Sequence, residues 1–173
     1  MILVGKGVEL RAATVEILRA SVAGDRATLA RLVDAEVAAG WPPPLFADDQ
    51  ARVADQLAAD PSLAGWFVWL IVSLVEKRTL CGIMGFSGPP TDGTIEVGYA
   101  VCVEHQNRGL ATSALRLLVE ERAFRDRRVR RVIAHTFPDL APSIRVLVKA
   151  GFRLDGPGDE PGTLRYVLTP TSG

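Results

Sequence analysis

The sequence predicts a single α+β domain in which a mixed, mostly antiparallel central sheet is flanked by helices. Three observations predict this fold class. The chain has only 173 residues, segments of helical and strand periodicity alternate along it, and its middle third holds three consecutive strand patterns separated by turns. Hydrophobic residues make up 48% of the chain, which is enough for a core. We therefore expect one domain over residues 1–173, with its core at about 8–168.

The first part of the chain predicts a strand followed by two helices. Residues 8–12 have strand composition, and apolar residues then recur at helical spacing behind Asp25, a helix N-cap. This helix is expected to end near Gly40. The segment 41–44, Trp-Pro-Pro-Pro, predicts a loop because proline lacks the backbone N–H that a helix requires. A second amphipathic helix is expected at about 47–59.

The rest of the chain predicts a meander, a crossover and a final helix and strand. The three strands of the antiparallel meander are expected at 66–75, 80–87 and 94–103. The elements after it are a helix at 109–125, a strand at 129–136, a helix at 143–150 and a strand at 163–168. The order of strand, helix and strand over 94–136 predicts one parallel crossover.

Charge and composition exclude several classes of partner. Twenty Lys and Arg balance twenty Asp and Glu, whereas a protein that binds phosphates of nucleic acid carries an excess of positive charge. The longest apolar run, 66–75, would span about 15 Å as a helix, half of what a bilayer requires. We therefore expect no nucleic-acid and no membrane partner.

Cysteine usage favours a cytoplasmic protein without a metal. Cys81 and Cys102 are too few for a disulfide framework and lack the paired spacing of a zinc site. A reducing compartment fits this usage best. The composition, rich in alanine and arginine, is typical of a GC-rich bacterial genome.

The segment 106–111, Gln-Asn-Arg-Gly-Leu-Ala, lies between a predicted strand and a predicted helix. The first amides of a helix have no intrahelical acceptor, and the helix dipole adds positive charge, so this junction can bind a phosphate. Gly109 lets the backbone approach closely, and Arg108 adds a charged donor. A purely conformational role of the glycine is the alternative. The segment matches neither the P-loop nor the dinucleotide-binding pattern of glycines.

Three motifs in this order resemble those of the GNAT superfamily of acyl-CoA-dependent N-acetyltransferases. Segment 106–111 resembles the Q/R-x-x-G-x-G/A pyrophosphate loop. Segment 96–101, Glu-Val-Gly-Tyr-Ala-Val, resembles the strand that pairs with the pantetheine arm. Segment 143–152 resembles the S-x-x-x-[LY]-x-K-x-G-F helix. The subgroup that includes ribosomal-protein N-terminal alanine acetyltransferases is the most similar, and the resemblance implies a splayed strand pair that forms the cofactor cleft.

The resemblance implies direct attack of a primary amine on the thioester of acetyl-CoA in a ternary complex, without a metal. The acceptor is a small molecule, a peptide or a protein N-terminus, and a homodimer stays open. The residues implied to contact the cofactor are Tyr99, Ala100 and Val101 along the pantetheine arm, and Asn107, Arg108, Gly109, Leu110, Ala111 and Thr112 around the pyrophosphate.

Three residues are candidates for proton transfer. Glu96 is the first candidate base, through water, with a structural cross-strand pair as its alternative. His135 occupies the position at which some relatives have a catalytic glutamate; an imidazole titrates near neutral pH, but a lone histidine on a strand is more often structural. The tyrosine that many relatives use as the acid is replaced by Leu147, so Ser143 is the candidate donor, with helix capping as its alternative.

Two other functions stay open. The missing tyrosine, together with a missing asparagine before Ser143, would suit a CoA-binding sensor or partner domain without turnover. A nucleotide-binding domain is more distant, because its glycine fingerprints are absent. The acceptor region is expected at 13–64, where Asp48, Asp49 and Asp55 either attract an amine or form a solvated helix face. Cys102 has no evident activating base for acyl transfer.

Overall fold

The computed structural model describes residues 1–43 and 49–170, and in these ranges it contains five α-helices and nine β-strands. The helices are α1 (Val15–Val22), α2 (Arg26–Val33), α3 (Gln50–Ala59), α4 (Leu110–Leu118) and α5 (Ala141–Lys149). The strands are β1 (Ile2–Gly5), β2 (Val8–Ala12), β3 (Glu36–Val37), β4 (Val68–Ser73), β5 (Thr79–Phe86), β6 (Thr94–Val101), β7 (Arg131–Thr136), β8 (Arg153–Pro157) and β9 (Leu164–Leu168). A π-helical segment, Val119–Ala123, extends α4.

The described strands form one open, mostly antiparallel sheet. Its order is β1-β2-β4-β5-β6-β7-β9-β8, and the short β3 pairs with the start of β5. Two contacts are parallel, β3 with β5 and β6 with β7. The second of these follows from the connection through α4, because a helix is long enough to return the chain to the same end of the sheet. The predicted fold class, meander and crossover are confirmed.

The sheet opens between β6 and β7. Their pairing covers only Thr94–Glu96 of β6 and 131–133 of β7. Beyond Glu96, β6 stays with β5 while β7 stays with β9. The two strands therefore diverge towards their carboxyl ends, and the predicted splayed pair is confirmed.

The core lies on both faces of the central strands. All positions of β4 and β5 are buried, although successive side chains point to opposite faces, so both faces are covered. Helix α4 packs on β1, β2 and β6 through a buried stripe, and α1 packs against α2 and α3. These contacts fix the beginning of α4 beside the opening in the sheet.

The helix behind Asp25 forms, but it is shorter than predicted. Asp25 caps α2, since its side chain accepts a hydrogen bond of 3.0 Å from the amide of Thr28. The helix ends at Val33 because Asp34 adopts a left-handed conformation, with φ of 51°. The next apolar residue, Val37, belongs to β3 and pairs with β5. Strand pairing thus overrides a helical pattern that continues in the sequence.

Besides β3, three elements were not predicted from the sequence, namely α1, β1 and β8. Helix α1 begins behind Thr14, whose hydroxyl accepts from the amide of Ile17 at 3.3 Å. This cap and the apolar stripe that follows are the signal that could have found it. The predicted loop at 41–44 is confirmed for residues 41–43, whereas Pro44 and the predicted helix start at 47 lie outside the described residues.

No helix within residues 1–43 and 49–170 is both long and apolar enough to cross a membrane.

Candidate active site

A cleft of about 680 Å³ occupies the opening between β6 and β7. It extends from the end of β6 over the beginning of α4 to α5 and to the loop between β8 and β9. The predicted site residues that line it are Glu96, Tyr99, Val101, Asn107, Gly109, Leu110, Ala111, Thr112, His135 and Ser143. Two others, Ala100 and Arg108, are not among its lining residues.

The backbone of β6 turns alternate residues towards the cleft. The amide of Cys102 donates to β5 at 2.8 Å, and the carbonyl of Glu96 accepts from the segment after β5 at 3.1 Å. Even-numbered positions of β6 therefore bond with β5, and the intervening residues direct their N–H and C=O groups to the opposite side. Val97 flanks the last position that pairs with β7, so the residues beyond that pairing whose backbone groups face the cleft are Tyr99 and Val101.

This alternation explains the place of Ala100. Its backbone groups face β5, in register with Ile83, so it is part of the sheet and not of the cleft wall. The carbonyl oxygen of Val101 already accepts one hydrogen bond, from the side-chain amide of Gln106 at 2.9 Å. That hydrogen bond ties the end of β6 to the loop that precedes α4.

The beginning of α4 offers three free amides. The first hydrogen bond within the helix runs from Ser113 N to Gly109 O at 3.0 Å, so the amides of residues 110–112 precede it. Gly109 has a φ of 75°, and a Cβ there would meet nothing within 4 Å, which leaves open space in front of the amides. No side chain caps this helix. Free amides, the helix dipole and open space together form an anion site.

Arg108 points away from this anion site. Its guanidinium lies 3.9 Å from a carboxylate oxygen of Glu76, in the turn between β4 and β5. The predicted contact between Arg108 and the cofactor stays a prediction. Asn107, in contrast, lines the cleft and has a φ of 60°, which helps the chain turn into the helix.

Glu96 and His135 form a pair across the opening. Glu96 stands in register with Ile133, and His135 follows two residues later on the same face of β7. Its Nδ1 lies 2.8 Å from Glu96 Oε1. The Glu96 side chain is 42% exposed but that of His135 only 16%, so the carboxylate reaches the cleft and the imidazole lies behind it. The two candidate bases are thus brought together as one unit.

The loop between β8 and β9 contributes a residue that the sequence analysis missed. Asp159 Oδ2 lies 3.6 Å from His135 Nε2, a buried atom without a hydrogen-bond partner among the described residues. A Cβ at Gly158 would lie 2.0 Å from Thr163 Oγ1 and 2.9 Å from the His135 ring, so only glycine allows the loop to approach this closely. Because β8 was not predicted from the sequence, no sequence pattern indicated that Asp159 lies near the site.

Ser143 and Tyr99 meet on the other wall of the cleft. The Tyr99 hydroxyl donates to Ser143 O at 3.1 Å and lies 3.3 Å from Ser143 Oγ. Burial raises the pKa of Tyr99 to about 12, and the hydrogen bond with Ser143 acts weakly in the opposite direction. The N-cap of α5 is Leu140, so Ser143 is not the capping residue that the alternative interpretation suggested.

The remaining candidate residues lie outside the cleft or are buried in an unreactive form. Cys102 is only 2% exposed, and burial raises its pKa to about 11, which keeps the thiol protonated. Asp49 bonds to Arg52 on the exposed face of α3, Asp55 is exposed there too, and Asp48 lies outside the described residues. Over residues 1–43 and 49–170, no group of three His, Cys, Asp or Glu side chains is arranged to hold a metal ion.

A family model and the relatives of known sequence agree on one protein family. A family model described as an acetyltransferase (GNAT) domain matches residues 17–153. YnaD of Bacillus subtilis (strain 168), named an uncharacterized N-acetyltransferase, is 35% identical over 85 residues, which is 49% of this chain and 49% of that protein. The chain thus matches about half the length of this relative.

Solved structures share the fold at low sequence identity. A ribosomal-protein-S5-alanine acetyltransferase from Vibrio fischeri has a TM-score of 0.66 and 15% identity, with 98% of this chain and 96% of that chain covered. The aminoglycoside acetyltransferase AAC(6')-Ib, in complex with coenzyme A and kanamycin, has a TM-score of 0.61 and 23% identity, with 94% of each chain covered. At these identities the similarity shows the fold alone.

Proposed function

The chain belongs to the GNAT acetyltransferase family, and from this premise we propose that it transfers the acetyl group of acetyl-CoA to a primary amine. The observation that carries the proposal is the line of backbone groups in the cleft. Two outward-facing positions of β6, Tyr99 and Val101, lead to the three free amides at the beginning of α4. This arrangement suits a ligand in which an arm with amide groups ends in a pyrophosphate.

The cofactor is held mainly by the backbone. Tyr99 and Val101 pair with the amides of the pantetheine arm, as an added strand would. The free amides of Leu110, Ala111 and Thr112 bind the pyrophosphate, and Gly109 gives it room. An outward-facing amide of β6 polarises the thioester carbonyl and stabilises the oxyanion that develops during attack.

Glu96 serves as the base. An ordinary lysine amine, with a pKa of about 10.4, is almost wholly protonated at neutral pH, whereas an α-amine at about 7.7–8.0 needs much less assistance. The exposed carboxylate of Glu96 accepts the proton of the ammonium group, directly or through water, and His135 holds that carboxylate at 2.8 Å. The neutral nitrogen then attacks the thioester carbon, and the C–S bond breaks with its electron pair on sulfur.

Ser143 faces the leaving group. Its hydroxyl is a cleft-lining donor in the first turn of α5, while Leu147 one turn later is fully buried and has no proton to give. We assign Ser143 as the hydrogen-bond donor to the thiolate, with solvent as the final source of the proton.

The acceptor is an amine of a small molecule, a peptide or a protein N-terminus. Solved structures with this fold include enzymes named for an aminoglycoside and for a ribosomal protein, so the fold accommodates both classes. The carboxylates of Glu96, Asp159 and Glu160 line the cleft and suit a cationic amine. We further propose that the protein acts as a single domain in the cytoplasm, where the thiols of Cys81 and Cys102 stay unpaired.

The thermal midpoint with acetyl-CoA, ATP and NAD tests the cofactor. At 100 times its dissociation constant, a ligand stabilises by about 2.7 kcal/mol, which raises the midpoint by roughly 5 to 10 °C for a domain of this size. We expect this shift with acetyl-CoA alone. In Gly109→Glu the shift should vanish, because a negative charge and bulk occupy the anion site. Gly109→Ala is the matched control, since it carries the same backbone strain without the charge.

The results separate the alternatives. A shift that survives in Gly109→Glu would contradict the assignment of the anion site, and a shift with ATP or NAD alone would favour a nucleotide-binding domain. Once acetyl-CoA binding is established, the protein is assayed for transfer to a panel of amines, peptides and aminoglycosides. The release of free CoA thiol is the measured quantity. Tight binding without thiol release on the whole panel would favour a sensor domain.

A further inference from the structure

We propose that Tyr99 is a positioning residue for the departing thiolate: its hydroxyl orders Ser143, so that the serine O–H is directed at the sulfur of CoA. The inference rests on the proposed function and deepens it. Leu147 stands at the position of the helix tyrosine that the family resemblance implies. The structure assigns a phenol from a different element, β6, to the same wall of the cleft.

The contact joins two elements of the fold, β6 and α5, on this wall of the cleft. Tyr99 lies on β6 and Ser143 in the first turn of α5, 44 residues later. Both residues line the cleft. The phenol has two acceptors on one residue, Ser143 O at 3.1 Å and Ser143 Oγ at 3.3 Å. Among the described residues, neither hydroxyl has a hydrogen-bond partner outside this pair, so the two hydroxyls are coupled mainly to each other and to the cleft.

Coupling gives the serine hydroxyl a direction. A lone serine hydroxyl rotates freely and has both a donor and an acceptor function. When the phenol O–H turns from the carbonyl to Ser143 Oγ, the serine oxygen is occupied as an acceptor, and its own proton is free to point into the cleft. The chain of donors is then Tyr99 O–H to Ser143 O–H to sulfur. A donor that is itself polarised in this way binds an anion more strongly.

Tyr99 contributes a hydrogen bond and keeps its proton. Burial raises the pKa of Tyr99 to about 12, whereas an ordinary thiol titrates near 8.5, so proton transfer from the phenol to the thiolate is unfavourable. In the reaction the N–C bond forms, the C–S bond breaks and the electron pair stays on sulfur. The proton that later neutralises the thiolate comes from solvent. The phenol lowers the free energy of the charged leaving group without changing its own charge.

The thiol of bound CoA reports this effect without an amine acceptor. We would measure the dissociation constants of CoA and acetyl-CoA from pH 6 to 10, together with the ultraviolet absorbance of the bound thiolate. If the pair stabilises the thiolate, the bound thiol ionises at a lower pH than free CoA, and CoA affinity rises as the pH increases. Acetyl-CoA has no thiol, so its affinity should not show this rise.

Tyr99→Phe is the critical variant, and Tyr166→Phe is its matched control. Tyr166 is the other tyrosine of the chain; it is 6% exposed and does not line the cleft. Loss of one hydrogen bond to a charged group should raise the pH at which the bound thiol ionises by about one unit, or weaken CoA binding at pH 10 about tenfold. Ser143→Ala should have a similar effect, and the double variant should add little to either single variant because both act through the same chain of donors.

The possible results distinguish failure of the role proposed for Tyr99 from failure of the proposed function. Equal weakening of CoA and acetyl-CoA in Tyr99→Phe would show a merely structural contact between β6 and α5 and would overturn the inference. An unchanged titration of the bound thiol would overturn it as well. If the wild-type protein binds neither CoA nor acetyl-CoA, the proposed function itself fails. Thermal midpoints of the variants without ligand serve to exclude unfolding.

Discussion

The two ends of the cleft are built in different ways. At the proposed cofactor end, the groups that face the cleft are backbone amides and carbonyls of β6 and the free amides at the beginning of α4. At the acceptor end, they are side chains, the pair of Glu96 and His135 with Asp159 behind it. The first set is fixed by secondary structure, whereas the second depends on strand register and on a loop that approaches from another part of the chain.

This difference separates binding from chemistry. Backbone groups are present whatever the side chains are, so the cofactor end should tolerate most substitutions that leave its turn intact. The acceptor end depends on individual functional groups, and a single isosteric change there removes one of them. Side-chain substitutions at the acceptor end should therefore reduce the rate of the reaction. Side-chain substitutions at the cofactor end should leave the affinity for acetyl-CoA nearly unchanged.

The largest effect is expected for Glu96→Gln. The amide has the size of the carboxylate but cannot accept a proton, so kcat should fall at least about 100-fold with a lysine-type amine. The dissociation constant of acetyl-CoA, measured by thermal shift, should stay within about twofold, because Glu96 does not belong to the cofactor end. An acceptor with an α-amine should suffer less, since more of it is already neutral. A variant with undiminished kcat would assign the base to another group.

A smaller effect is expected for His135→Phe, which keeps a ring behind the carboxylate but removes its hydrogen bond at 2.8 Å. The loss of one hydrogen bond to a charged group should lower kcat about tenfold, and the pH profile of kcat should change its shape. His135→Gln, which retains a donor, should recover part of the rate. If His135→Phe lowers kcat as much as Glu96→Gln does, His135 would be the base and not a residue that positions it.

The smallest effect is expected for Arg108→Ala. The guanidinium lies 3.9 Å from Glu76 and is absent from the cleft wall, so acetyl-CoA affinity should change by no more than about twofold. Titration with acetyl-CoA at low and high salt checks this. A tenfold loss would mean that the side chain leaves Glu76 and contacts a phosphate, as the sequence analysis expects.

The fold and the loop that precedes α4 could be predicted from the sequence because their signals are local. Gly109 follows a strand pattern and precedes a helix pattern, and the motifs around it lie within 60 residues. The contacts of the acceptor end and of the α5 wall are not local. Glu96 and His135 are 39 residues apart, and Tyr99 and Ser143 are 44 residues apart, so no periodicity reports that they touch. Such contacts follow from strand register and helix packing.

Two errors of the sequence prediction, one helix boundary and one missed strand, have the same origin. The apolar pattern behind Asp25 continues at helical spacing to Val37, yet this residue pairs with β5. Strand β8 has mostly exposed residues, so it lacks the alternation that marks a half-buried strand, and it forms because β9 offers a partner. In both cases tertiary pairing decides a structure that propensity leaves open. Asp159 was missed for this reason, since its position depends on β8.

We expect the opening between β6 and β7 also to influence how readily the molecule aggregates. Two strand edges with unpaired N–H and C=O groups lie inside a sheet that is otherwise continuous from β1 to β8. Such edges are templates on which another polypeptide can add a strand, and they promote aggregation wherever they are long and open. A bound pantetheine arm would cover the edge of β6 with its own amides. The groups proposed to recognise the cofactor are therefore the same groups through which an empty molecule would associate with other chains, and we expect occupancy of the cleft to reduce such association.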